Sequence, residues 1–237
     1  MTKRTVLFDL DDTLVAFAAV REASWLQVCH EYHRGNRKIS VLKTYENIRK
    51  HNDRYWSDEK NYREGRLAIE AARRQVVSAA FNELGLPSKD AHILADRFSI
   101  VRLENMYVLP GVEHTLQALL DRHYRMALIT NGDCDTQRKK IKRLAIAKYF
   151  KHVLIEEEIG FGKPDQRIYL EALSYFGVSP EESWMVGDNL SLDIAAPQSL
   201  GIRGIWYDSK GTGLPPTAPA VPFRIIRMTT DLLEILK

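Results

Sequence analysis

Thr5-Val6-Leu7-Phe8-Asp9-Leu10-Asp11-Asp12-Thr13-Leu14 runs from a short apolar segment straight into carboxylates at alternate positions. An unbroken apolar run of this length reads as a strand buried on both faces, as in a parallel sheet. Ligands of such sheets collect beyond the carboxyl ends of the strands, so Asp9 and Asp11 stand where a site is expected. Taken alone, Asp-x-Asp-x-Thr fits equally well acids that cap a helix or coat a loop.

Further runs of the same kind lie at 125–129 (RMALI), 152–156 (HVLIE), 183–186 (SWMV), 203–206 (RGIW) and 223–226 (FRII). Helical stretches are expected between most of them, over 112–122, 136–149 and 165–176, with a last one over 230–236. Alternating strand and helix predicts an α/β fold, a parallel sheet with helices on both faces. Ser179-Pro180-Glu181-Glu182 reads as a capped helix start, and Pro164-Asp165 as another with Pro in the first turn. Residues 211–222 (GTGLPPTAPAVP) read as a loop between the last two strands.

Residues 17–107 break this rhythm. Four helices are expected there, over 20–34, 41–56, 66–84 and 91–105, separated by turns at Gly35-Asn36, Ser57-Asp58 and Gly85-Leu86-Pro87. The chain thus divides into an α/β core of residues 1–17 and 107–237 and an inserted all-helical domain of residues 18–106. Residues 18–107 hold 16 Lys and Arg against 12 Asp and Glu, a net +4, whereas the whole chain is +3. The insert carries the basic surplus.

The 237 residues are 45% hydrophobic and 27% charged, enough apolar content for a proper core. Basic and acidic residues are interleaved, so charge alone gives no case for nucleic-acid binding. Cys29 and Cys134 form no CxxC pattern, which argues against a disulfide framework or a thiolate zinc site and suits a reducing cytoplasm. No secretory h-region follows Met1, and no stretch reaches the ~20 apolar residues of a membrane span, so a soluble cytoplasmic protein without a membrane partner is expected.

Three more polar motifs occupy strand ends or helix starts: Thr130-Asn131-Gly132, Lys163-Pro164-Asp165, and Gly187-Asp188-Asn189 with Asp193. Singly each has a plain reading, as a turn, a solvated lysine or a helix cap. Together they converge on one edge of the sheet. In this order and strand context the four motifs resemble those of the haloacid dehalogenase-like (HAD) hydrolase superfamily, in its branch with a helical cap inserted after the first motif. Within it the chain is most similar to phosphatases of nucleotides and of sugar phosphates such as acylneuraminate 9-phosphate.

The resemblance implies a doubly wound, Rossmann-like core with residues 18–106 as the cap. It gives Asp9 as nucleophile, Asp11 as general acid and base, and Thr130 and Asn131 as donors to phosphate. Lys163 supplies a neutralising charge. It implies Mg²⁺ held by the Asp9 and Asp188 carboxylates and the Asp11 main-chain carbonyl, an all-oxygen set that suits this hard ion without His or Cys. Asp193 orients the metal shell or Lys163, a plain helix cap being the other reading. The expected activity is Mg²⁺-dependent hydrolysis of a small-molecule phosphomonoester through an aspartyl-phosphate on Asp9, by a monomer or homodimer that binds no nucleic acid.

Phosphomutase activity would use the same motifs. A dehalogenase would attack carbon with Asp9 and need no acid at position 11, so Asp11 argues against it; a non-catalytic binding protein would not need every catalytic position filled. Tyr45, Tyr55, Trp56 and Tyr62 could roof a substrate ring and Arg63 or Arg66 meet an anionic tail, although their helical spacing favours core. Pro197 would clash with the carbonyl of residue 193 in a regular helix, so that helix is expected to begin late or kink. Cys134, with no nearby His, is expected to be inert.

Overall fold

The computed structural model describes residues 4–34 and 39–237. The turn expected at Gly35-Asn36 lies outside the described residues. After β1 (Thr5–Phe8) come α1 (Arg21–Tyr32), α2 (Val41–Ser57), α3 (Glu59–Gly65), α4 (Ile69–Leu84) and α5 (Ser88–Asn105). Then follow α6 (Val112–Asp121), β2 (Arg125–Thr130), α7 (Cys134–Arg143), β3 (His152–Ile155), α8 (Glu156–Ile159) and α9 (Gln166–Phe176). The chain closes with β4 (Ser183–Gly187), α10 (Ala196–Gln198), β5 (Arg203–Tyr207), β6 (Arg224–Ile226) and α11 (Leu232–Ile235). Two compact units result, Met1–Ala16 with Tyr107–Lys237, and Phe17–Met106.

In the first unit six strands form one parallel sheet in the order β3-β2-β1-β4-β5-β6. Alternation along each strand feeds two cores. Val6, Phe8, Met126, Leu128 and Val186 join Val112, Leu116 and Leu119 of α6 on one face, whereas Leu7, Ala127, Ile129 and Met185 join Ile168, Tyr169 and Leu173 of α9 on the other. Burial on both faces is why these strands read as solid apolar runs rather than alternating ones. α9 begins where Asp165 accepts the Arg167 N–H at 2.9 Å and ends at Gly177 in the left-handed region.

Beyond β1 the chain turns back on itself. Asp12 adopts φ 61°, and its N–H donates to Val15 O at 2.8 Å. Ala16 N–H then donates to Tyr107 O at 2.9 Å, and Leu109 N–H to Leu14 O at 2.9 Å. Departing and returning chain are therefore hydrogen-bonded side by side within this unit.

The second unit has its own core. Trp25 of α1 stacks on Phe98 of α5 with ring centroids 3.6 Å apart, and Ile48, Val77, Phe81 and Leu94 pack around them. Tyr45 is buried in this core; Tyr55 and Trp56 meet edge to face, and Tyr62 is exposed under the Arg66 guanidinium at 5.3 Å. Arg63 pairs with Glu59 one turn back.

Sequence reading erred at several boundaries. Among the described residues the second unit holds five helices rather than four, because Asp58, read as a turn residue, accepts the Asn61 N–H and starts α3. The stretch 136–149 is no single helix: α7 stops at Arg143, Ala145 turns left-handed at φ 52°, and a 3-10 turn covers Ala147–Tyr149. Ser179 caps no backbone group; its hydroxyl donates to Glu182 at 3.3 Å, beside a 3-10 turn over Pro180–Glu182. Pro164 precedes the cap Asp165 rather than sitting in the first turn of α9. The end of the chain is a 3-10 turn, Thr229–Asp231, followed by the single turn α11. Among the described residues, no helix is long and apolar enough to cross a membrane.

Leu7 is fully buried against α9. Leu7→Ala is expected to cost about 2–5 kcal/mol through lost transfer energy and the cavity left behind. Urea unfolding checks this, and the midpoint should fall with the slope unchanged.

Candidate active site

The strand order reverses direction between β1 and β4, and the crevice at such a switch point is where doubly wound sheets bind ligands. Phe8, the last residue of β1, is in register with both Leu128 of β2 and Val186 of β4, so β1 ends beside the carboxyl-terminal ends of its two neighbours. Asp9 follows directly. Its N–H donates to Val186 O at 2.9 Å, and the residue is 7% exposed.

Lys163, reached after α8, is 2% exposed and sits among these ends. Its Nζ lies 2.6 Å from Asp9 Oδ1 and 2.6 Å from Asp193 Oδ1. Asn131 fixes the lysine's main chain: Lys163 N–H donates to Asn131 Oδ1 and Asn131 Nδ2 donates to Lys163 O, each at 2.7 Å. That grip uses the Asn131 carbonyl and one amide hydrogen, leaving a second hydrogen. Thr130 is buried beside it and accepts a hydrogen bond from Gln137.

Beyond β4, Asp188 is held through its main chain, where its carbonyl accepts the Trp206 indole N–H at 2.8 Å. Asp193 is buried, takes the Lys163 ammonium on Oδ1 and accepts the Asn189 N–H on Oδ2 at 3.0 Å. The geometry thus joins Asp193 to Lys163 directly. Its segment, Leu190–Ala195, winds as a π-helix in which the Ala196 N–H reaches Ser191 O five residues back. The wider turn accommodates Pro197, which has no N–H to give.

Carboxylate oxygens of Asp9, Asp188 and Asp193 all lie within 4.8 Å of one another. Burial and the neighbouring Asp193 push the Asp9 pKa up, while Lys163 pulls against them. Asp188 is raised by burial and by Asp9 and Asp193. Burial works against the Lys163 charge, but Asp193 and Asp9 outweigh it and raise its pKa. Negative charge exceeds what one ammonium offsets, and hard oxygen donors crowded in this way fit a small divalent cation.

Gln137 and Lys140 escaped the sequence reading. Both are buried on α7, and Lys140 Nζ is 2.6 Å from Asp11 Oδ2. With Ile141 and Leu144 they make an i, i+3, i+4, i+7 stripe. Two polar residues within an apolar stripe were the available signal. Cys134 donates to Glu158 at 2.9 Å, a bond that holds its thiol pKa up.

An acidic cluster and a buried lysine thus lie together at the switch point of a doubly wound α/β sheet. The chain belongs to the haloacid dehalogenase-like hydrolase family, whose profile matches residues 3–201. It is 40% identical over 148 residues to a phosphoserine phosphatase from Thermus thermophilus, an alignment covering 62% of this chain and 57% of that one. It is 29% identical over 214 residues to the pyrimidine 5'-nucleotidase PynA from Streptococcus pneumoniae, covering 88% of this chain and 85% of that protein. The solved structure of a 2-haloacid dehalogenase from Pseudomonas syringae pv. Tomato is 30% identical and superimposes with a TM-score of 0.68, covering 98% and 97% of the two chains.

Gly187 leaves room for Asp193: a Cβ there would fall 2.2 Å from Asp193 Cγ. Gly187→Ala is expected to displace Asp193 from Lys163, lowering stability by about 1–3 kcal/mol and hydrolase turnover by ~10²-fold. Urea unfolding and a steady-state assay on the same preparation check both.

Proposed function

We propose that this chain is a Mg²⁺-dependent phosphatase that hydrolyses a small-molecule phosphomonoester, a nucleotide or sugar phosphate, through an aspartyl-phosphate on Asp9. One observation carries the reading. Lys163 bridges Asp9 and Asp193 at 2.6 Å each, with Asp188 at the same cluster and Asp11 two residues beyond the nucleophile. Relatives named phosphoserine phosphatase and pyrimidine 5'-nucleotidase support it.

Mg²⁺, held by the Asp9 and Asp188 carboxylates and the Asp11 carbonyl, would supply the charge that lets a carboxylate and a phosphate dianion share one site. The residues do the rest. An Asp9 oxygen attacks phosphorus in line as the ester oxygen leaves, and Asp11 gives that oxygen a proton. Asp11 then takes a proton from the water that attacks phosphorus, which breaks the acyl phosphate and frees Asp9. Lys163 neutralises charge on the transferring group, and Thr130 and the second amide hydrogen of Asn131 donate to its oxygens.

Residues 18–106 take the part of a cap that chooses the leaving group, since the core motifs read only phosphate. Their insertion between β1 and α6 supports this. A dehalogenase reading is favoured by the named structural neighbour, but it leaves Asp11 and its anchored carboxylate without work. Phosphomutase activity differs only in returning phosphate to substrate rather than to water.

p-Nitrophenyl phosphate should be cleaved with Mg²⁺ and not after EDTA treatment, and 2-chloropropionate should release no chloride. Chelator-insensitive cleavage removes the metal from the scheme, and chloride release moves the chain to the dehalogenases. Asp9→Asn should leave almost no turnover. Asp11→Asn should lose a factor of ~10² to 10⁴ and accumulate, after acid quench, a phosphate-sized mass gain on Asp9. A label on another residue overturns the assignment.

A further inference from the structure

The two oxygens of the Asp11 carboxylate have unlike surroundings. Oδ2 receives the Lys140 ammonium at 2.6 Å and, more weakly, Gln137 Nε2 at 3.4 Å. Oδ1 is buried and has no hydrogen-bond partner among the described residues. The Lys140 side chain is only 3% exposed, so its charge is stripped of water and committed to this contact region. Gln137 is fixed in turn, since its amide also donates to Thr130 Oγ1 and, at 2.9 Å, to Asn131 O.

α7 carries both groups. Asp133 caps it by accepting the Thr136 N–H at 2.8 Å, and Gln137 and Lys140, three residues apart, share the face buried with Ile141. One rigid helix therefore sets the distance between the end of β2 and the acid that follows β1. We propose that Lys140, seconded by Gln137, is a positioning residue that clamps Asp11 by Oδ2, so that Oδ1 alone faces the leaving oxygen and the attacking water. This rests on the phosphatase reading, in which Asp11 moves protons. A lysine serving only to fill the core would act on stability whatever stood at position 11. A clamp acts on the rate, and only through Asp11.

Lys140→Met and Asp11→Asn, made singly and together in the full chain, separate these. With an alkyl phosphate and Mg²⁺, Lys140→Met should lower kcat by ~10- to 10²-fold, with KM changed by less than about twofold. The loss should shrink with p-nitrophenyl phosphate, whose leaving group needs less acid help. In the Asp11→Asn background the same change should cost nothing further, because the partner it positions is already disabled. Lys140→Arg should recover part of kcat.

Losses that multiply in the double variant, a change confined to KM, or an unaltered kcat in Lys140→Met overturn the proposal. Should Lys140→Met melt below the assay temperature, Lys140→Gln, a shorter polar donor, enters the same cycle with the same two outcomes. If the unaltered chain cleaves no phosphomonoester at all, the phosphatase reading fails separately. Crystal structures then decide the clamp: an Asp11 carboxylate that swings away in Lys140→Met supports it, and one that stays in place overturns it.

Discussion

The Lys163 ammonium, 2.6 Å from Asp9 and 2.6 Å from Asp193, joins three segments that lie far apart in the chain. Each of these groups is buried, and a buried charge without a partner costs several kcal/mol. The end of β1, the loop before α9 and the π-turn after β4 are thereby bound to one arrangement. Asn131 enforces it from a fourth segment by holding both polar groups of the Lys163 peptide.

What makes that contact possible is the strand order. Neighbouring strands β1 and β4 are separated in sequence by more than half the chain, yet their ends lie in register at Phe8 and Val186. The carboxylates of Asp9 and Asp188 arrive at one crevice because the sheet is wound outward in both directions from this pair. Burial above all raises both pKa values, with the Asp193 charge adding at Asp9 and the Asp9 and Asp193 charges adding at Asp188.

The inner strands were legible because burial on both faces makes them solid apolar runs, and all six strands, the more exposed edges β3 and β6 included, were located within a residue or two. α3 was missed because Glu59–Gly65 (EKNYREG) is too short and polar to show a period. α7 was overrun because Ala145 adopts φ 52° without the glycine that usually marks such a stop. Of the residues read as one site, Asp9, Lys163, Asp188 and Asp193 have side chains that lie together in the fold. What could not be read were pairings made through space. Nothing local says that Lys140 meets Asp11 across 129 residues, or that Trp206 holds the Asp188 carbonyl.

The hydrogen bond from Ala16 to Tyr107 and the one from Leu109 to Leu14 also bear on how such a chain could diversify. Departing and returning strands stand one ladder spacing apart, about 5 Å, so the core closes its own circuit whatever is threaded between them. A connector of a few residues would span that gap as well as 90 residues do. The insert is in this sense a cassette. Its sequence is free to drift while the carboxylates and lysine of the core stay under their own, separate constraint.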